Sequence, residues 1–212
     1  MLVVTNADEG SRPYRSSLRA EQAEQTRLRI AHAARQCFVE RGWSGTSVRS
    51  VATAAGVSEA TVYAVYGTKA GLATSLVDSA DDDADIARTI AELAAAVGDP
   101  AAQLAALLRF ERRLFENAGD ALRVIVEGQR SEPALQAAYA EGRSRGERTR
   151  RDVFATWPGS ALRPGMTLDR SLDLVAVTVS IQTYDIATGE RGWTADQTEQ
   201  WWIATLSEAI LA

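Results

Sequence analysis

Residues 46–69, T-S-V-R-S-V-A-T-A-A-G-V-S-E-A-T-V-Y-A-V-Y-G-T-K, constrain the fold more than any other stretch of this chain. Val48, Val51, Ala52 and Ala55 recur at i, i+3, i+4 and i+7, which gathers them on one face of a short helix. Thr46 or Ser47 stands where a hydroxyl can cap that helix by accepting a hydrogen bond from a first-turn N–H. Gly56 follows where the chain must turn away, through backbone angles that glycine tolerates best. Val57 tucks beneath the turn, Ser58 is placed to cap a second short helix, and Val62 lies on that helix's inner side. This is the helix-turn-helix layout, whose second helix enters the major groove of DNA. Helix pairs with an intervening glycine are common, so the spacing alone decides little. The outer surface says more: Ser58, Ala60, Thr61 and Ala64 are small or hydroxyl-bearing, with Tyr63 beside them, and such a surface suits close approach to a groove. Thr68 and Lys69 open the next helix, which sets a cation beside unpaired helix N–H groups where a phosphate can bind.

In these residues the chain resembles the TetR family of transcriptional regulators. The pattern is T-S-V-R-S-V-A-x-x-A-G-V-S-x-x-T-V-Y-x-x-Y-x-x-K-x-x-L, preceded by a long helix ending F-V-E-R-G-W-S-G, and it covers residues 22–77. The remainder is similar to the family in layout only, with a late E-R-G-W before a last amphipathic helix. The resemblance implies an all-α chain: an N-terminal helix-turn-helix three-helix DNA-binding domain, then a helical ligand-binding and dimerisation domain. It implies that Thr46, Ser47 and Arg49 touch the backbone or groove. It places Ser58, Glu59, Ala60, Thr61, Tyr63, Ala64 and Val65 on the recognition helix and gives Lys69 a phosphate. It further implies a repressor that leaves a palindromic operator on double-stranded DNA when a small-molecule effector binds. Three positions depart from the family's habit. Glu59 is acidic, Ala60 replaces the common Gly or Pro, and Ala64-Val65 replaces a pair often aromatic or polar. Glu59 can accept from a cytosine amino group or simply favour a helix N-terminus, and Val65 can meet a thymine methyl or pack.

Charge follows the same division. Residues 11–70 hold nine basic and four acidic side chains, a balance of +5, in a chain whose net charge is −5, so the rest carries −10. Affinity for DNA comes largely from neutralising phosphates, which an acidic protein does through its basic end. Uneven charge is frequent in soluble proteins; here it coincides with the motif. We therefore expect a flexible N-terminal arm over residues 1–17, a DNA-binding domain over 18–67 and an effector-binding and dimerisation domain over 68–212. Arg12 and Arg15 of the arm either reach a minor groove or form a solvated tail. The single cysteine, Cys37, excludes an internal disulfide and fits a reducing cytoplasm. Near the stripe of Ile30, Ala34 and Phe38 it reads as core rather than redox sensor. No apolar run approaches about 18 residues, so no membrane span is expected, and no secretory signal is evident.

Beyond the motif the sequence reads as successive helices. One over about 68–97 bends at Asp81-Asp82-Asp83, a cluster that suits a solvated bend better than a metal site because adjacent helical aspartates diverge. Gly98-Asp99-Pro100 is a break; a helix over 101–117 is ended by Gly119, a shorter one spans 120–130, and another spans Pro133 to about Thr156. The arginines of that helix, Arg143 to Arg151, interleave with acids and read as a solvated face. Two last helices, 168–189 and 194–211, carry the stripe Leu168, Leu172, Val175, Val179, Ile186 and the broad face of Trp202, Leu206, Ala209 and Ile210, widened by Trp201 and Thr205. A helix so apolar needs cover on two sides, its own domain on one and a second copy on the other, which gives a homodimer through a four-helix bundle. An effector pocket is expected among Phe110, Arg113, Phe115, Tyr139, Gln182 and Tyr184, aromatic walls with a few polar anchors. Each of these residues has an equally ready place in a core or on a surface. The rival classes are a dimeric ligand-binding protein without DNA specificity and an enzyme. With one histidine, His32, and no metal-ligand or phosphate-loop motif, no catalytic residue, cofactor or metal is expected.

Overall fold

The computed structural model describes residues 12–78 and 85–212. The aspartate cluster and most of the expected arm lie outside the described residues; from Arg12 onward the chain is already helical. Helix α1, Arg12–Gly45, is broken near its end at Gly42, where φ is 67° and ψ is −177°. Next come α2 (Val48–Ala55), α3 (Glu59–Tyr66), α4 (Lys69–Asp78) and α5 (Ile86–Ala95). The longer α6 (Pro100–Gly128) and α7 (Pro133–Phe154) lead to a 3-10 turn at Gly159–Ala161. The chain ends with α8 (Leu168–Thr178), α9 (Ile181–Asp185) running into a π turn at Ile186–Glu190, and α10 (Ala195–Ile210). Among the described residues the one β feature is an antiparallel bridge between Leu162 and Leu211.

Side-chain caps decide many of these starts. Asp99, Thr167, Ser180 and Thr194 each accept from an N–H in the first turn of α6, α8, α9 and α10, satisfying donors that have no partner within the helix. Helix α6 is the axis of the molecule, packing against α1, α4, α5, α7, α9 and α10. Its C-terminal half, through Ala121, Val124 and Ile125, closes a first core with Ile30, Phe38, Val51, Val62 and Leu72. Cys37 is buried in that core. Its N-terminal half, through Leu104, Leu108 and Phe115, closes a second core with Trp202, Leu206 and Ile210.

Two boundaries differ from expectation. Gly119 does not end a helix: α6 runs through it, because a tertiary neighbour takes the place of a side chain there, and a Cβ would stand 3.3 Å from Ile181 Cδ1. The helix expected over 168–189 is instead interrupted at Val179 (φ −104°, ψ 100°). There Ser180 and Thr183 exchange cap hydrogen bonds and start α9 in a new direction, which suits a stretch of β-branched residues. The stripe expected to pair subunits is also partly used at home. Leu172, Val175, Val179, Trp202, Leu206 and Ile210 are buried in the chain's own core, while Val177, Ile186, Trp193 and Trp201 are exposed.

Candidate nucleic-acid interface

Helix α3 is held by the inward Val62, by Tyr66 at its end, which packs on the first core and donates its hydroxyl to the Arg27 carbonyl at 2.9 Å, and by two end caps. Val62 is 1% exposed, whereas Tyr63 is 49% and Val65 40% exposed, so the helix shows most of its circumference to solvent. Ser58, Glu59, Ala60 and Ala64 share that outer surface. Ser58 Oγ accepts from the Thr61 N–H at 3.1 Å and lies 2.9 Å from Thr61 Oγ1, so Thr61 is half-buried with its hydroxyl against the cap. Ser47 and Ser50 cap α2 reciprocally, each hydroxyl accepting from the other's N–H at 3.1 Å. Gly56 takes the left-handed conformation (φ 65°, ψ 38°) that lets the chain swing from α2 to α3. Ser47 and Arg49 are exposed at the start of α2.

Two of the expected contact residues are placed otherwise. Thr46 is buried, its hydroxyl 2.9 Å from the carbonyl oxygens of both Cys37 and Gly42 at the break in α1, between which its one proton is shared. Lys69 turns its ammonium inward, donating to the Trp43 carbonyl and lying 3.9 Å from the centroid of the Trp43 ring. Burial lowers the Lys69 pKa, against the charges of Glu127 and Glu132, which act to raise it. Side-chain phosphate contact thus fits Arg49 better than Lys69.

Three residues that the sequence did not single out fasten this head to α6. The Glu127 carboxylate accepts from the N–H groups of Trp43 (2.9 Å) and Ser44 (3.3 Å), donors left over where α1 breaks. A Cβ on Gly42 would stand 2.7 Å from Glu127 Oε2, so glycine serves both the positive φ and the close approach. Arg35 on α1 binds Asp120 through two nitrogens (2.6 and 2.8 Å) and reaches the Asn117 carbonyl at 2.6 Å. Burial pushes the Asp120 carboxyl up, but the Arg35 hydrogen bond, the Ala121 N–H and the charges of Arg35 and Arg123 outweigh it and hold it below its ordinary value. These ties span more than eighty residues, so only Gly42 carries a local signal of them.

Residues 30–76 match the profile described as "Bacterial regulatory proteins, tetR family". Over these residues the chain is similar to the TetR family. It is 35% identical over 65 residues to the HTH-type transcriptional regulator TtgR of Pseudomonas putida, a match covering 31% of each chain. It thus spans about a third of that relative's length. Likeness in fold extends further. NalD, the secondary repressor of the MexAB-OprM multidrug efflux pump in Pseudomonas aeruginosa, superposes with a TM-score of 0.70 at 22% identity, covering 90% of this chain and 98% of NalD. The ketosteroid transcriptional regulator KstR2 of Mycobacterium tuberculosis gives a TM-score of 0.61 at 19% identity, covering 88% of this chain and 95% of KstR2.

A second candidate site is a cavity of about 400 Å³ between α5, α6, α7 and the α8–α9 break. Ile90, Leu93, Phe110, Leu114, Phe115, Tyr139 and Ile181 are among its apolar walls, and α7 adds Arg143, Arg145 and Arg150. Three of the six expected pocket residues, Phe110, Phe115 and Tyr139, therefore line it. The other three do not. Arg113 is turned to Thr89 Oγ1 at 2.8 Å, Gln182 is exposed, and Tyr184 is buried against Phe115 and Trp202. The break at Val179 rotates the helix face on which Gln182 was expected to point inward. Among the described residues no group of His, Cys, Asp and Glu is arranged to hold a metal, and no helix is long and apolar enough to cross a membrane.

Proposed function

We propose that this chain is a sequence-specific DNA-binding transcriptional regulator of the cytoplasm, a repressor released from a palindromic operator when a small molecule fills the cavity. The observation that carries the reading is α3, capped at its start, anchored by Val62 and Tyr66, and presenting Tyr63, Ala64 and Val65 to solvent. Arg49 supplies charge at the neighbouring helix start, and the acceptor of Glu59 suits a cytosine amino group. The exposed Val177, Ile186, Trp193 and Trp201 supply the apolar surface through which two copies pair. Trp193 and Trp201 meet edge to face at 5.6 Å. A twofold axis there sets two α3 helices one turn of B-DNA apart, about 34 Å. Because α6 both walls the cavity and holds Glu127 and Asp120, an occupant that changes its packing changes the hold on the DNA-binding head. A tenfold loss of operator affinity needs an occupant that discriminates between the two states by about 1.4 kcal/mol.

Selection of duplexes from a random pool, followed by gel shift, tests this. The expected product is an inverted repeat bound by a dimer. Tyr63→Ala lowers affinity for it about tenfold or more, the scale of a lost base contact, with an unchanged circular dichroism spectrum. Absence of a retarded band at low salt with every selected duplex, in a protein that still dimerises, would leave a ligand-binding dimer without DNA specificity as the better account.

A further inference from the structure

Resting on the regulator reading, we infer that the cavity takes an amphipathic anion, a medium-chain carboxylate being the simplest example, with its chain among the aromatic walls and its head toward the arginines of α7. The volume, about 400 Å³, lies within the range of small-molecule sites. Phe110, Leu114 and Phe115 belong to α6, whereas Arg143 and Arg150 of α7 also line a neighbouring groove of about 270 Å³ shared with Arg148 and Arg151. Arg143 and Arg150 thus line both the apolar space and a polar, arginine-rich groove beside it.

The carboxylates nearby are already matched. Glu111 and Arg150, each with less than a sixth of its side chain exposed, form an ion pair at 2.5 Å, so Glu111 has its counter-ion and offers no anchor to a cationic ligand. Glu141 pairs with Arg148 at 2.8 Å. Arg151 answers both Asp169 (2.7 Å) and Glu147 (3.4 Å). Arg143 is held by a neutral acceptor, the Ala176 carbonyl at 3.1 Å, and keeps donors and charge for a ligand. The aromatic wall is no vacant cage for a cation either, since the Arg143 guanidinium sits 6.0 Å from the Tyr139 ring centroid. An ionised head beside Arg143 gains charge-assisted hydrogen bonds that a hydroxyl head does not, while both lose the same apolar surface to the walls.

Isothermal titration of the full-length protein, without DNA, against decanoate, decanol and decyltrimethylammonium below their micellar concentrations tests this. Decanoate is expected to bind at least tenfold more tightly than either, and Arg143→Gln to narrow the decanoate-over-decanol ratio toward one. Equal or tighter binding of decanol or of the ammonium overturns the inference, as does binding of none of the three. A wild-type decanoate preference left untouched by Arg143→Gln also overturns it, since the head would then lie elsewhere. Operator selection is run separately, so loss of DNA binding and loss of anion preference are read independently.

Discussion

Around the reading helix the first core mixes many small residues, among them Ala33, Ala34, Ala52, Ala55, Ala70 and Ala73, with a few large ones such as Ile30, Phe38, Trp43 and Leu72, and two of its helices are eight residues long. The second core, at the far end of α6, is made of leucines and large aromatics, with Phe115 set edge to face on Trp202 at 6.0 Å and stacked rings at Phe154 and Trp157. Helices of eight residues are too short to hold by themselves, so the first region depends on its caps and on fasteners from α6. The second depends on buried area. A surface that must slide against a groove is thus built with many parts of little bulk, while the end that must keep its shape is built from parts with much.

The sharpest way to break this contrast is Trp202→Ala. Trp202 is fully buried, and its removal should cost about 3–5 kcal/mol, measured by urea unfolding, or leave the chain unfolded. Its Nε1 is buried without a hydrogen-bond partner, so Trp202→Phe should lose distinctly less, the smaller ring shedding an unsatisfied donor along with some contacts. If Trp202→Phe proved as costly as Trp202→Ala, shape rather than area would govern that core. On the first region the counterpart is Ser58→Ala, which deletes the cap of α3 and should cost about 1 kcal/mol in the same assay. Its operator affinity should fall by more than that loss of stability accounts for if, as proposed, the N-terminal turn of α3 faces the DNA.

What could be read from the sequence follows the same line. The caps at Ser47 and Ser58, the turn at Gly56 and the inward Val62 act within a few residues of one another, so spacing reveals them. The roles of Thr46 and Lys69 were not legible, because each is decided by the break at Gly42, which turns backbone acceptors toward them. In the second region helix content was legible and helix ends less so. Gly119 looks like a stop until Ile181, sixty-two positions on, fills the space beside it. The cavity walls were half legible, since Phe110, Phe115 and Tyr139 have the chemistry of a pocket, but only the α8–α9 break decides which of Gln182 and Tyr184 looks where. Asp120 and Glu127 were invisible, being ordinary acids on a helix until α1 is laid against them.

A smaller effect, of opposite sign, is expected at Gly142. A Cβ there meets nothing within 4 Å, on an interior turn of α7 beside the cavity. Gly142→Ala should raise stability by about 0.5–1 kcal/mol through helix propensity, seen as a higher melting temperature. Gly142→Phe, reaching into the cavity, should instead displace ligand. A destabilising Gly142→Ala would mean that α7 is used in a bent or locally open form.

The smallest effect tests the fastening between the two regions. Asp120 has a folded pKa below its ordinary value, so its pairing with Arg35 contributes stability above the unfolded aspartate pKa of about 4 and loses it as pH falls through the lowered folded value. Both side chains are partly exposed, at 40% for Arg35 and 30% for Asp120, so the gain is screened and should be below about 1 kcal/mol. Melting curves of the wild type and Asp120→Asn should therefore differ modestly at pH 7 and converge well below pH 4. Added salt should shrink the gap at pH 7. A gap that persists unchanged into acid would mean that the Asn117 carbonyl and the surrounding packing, rather than the charge, hold α1 to α6.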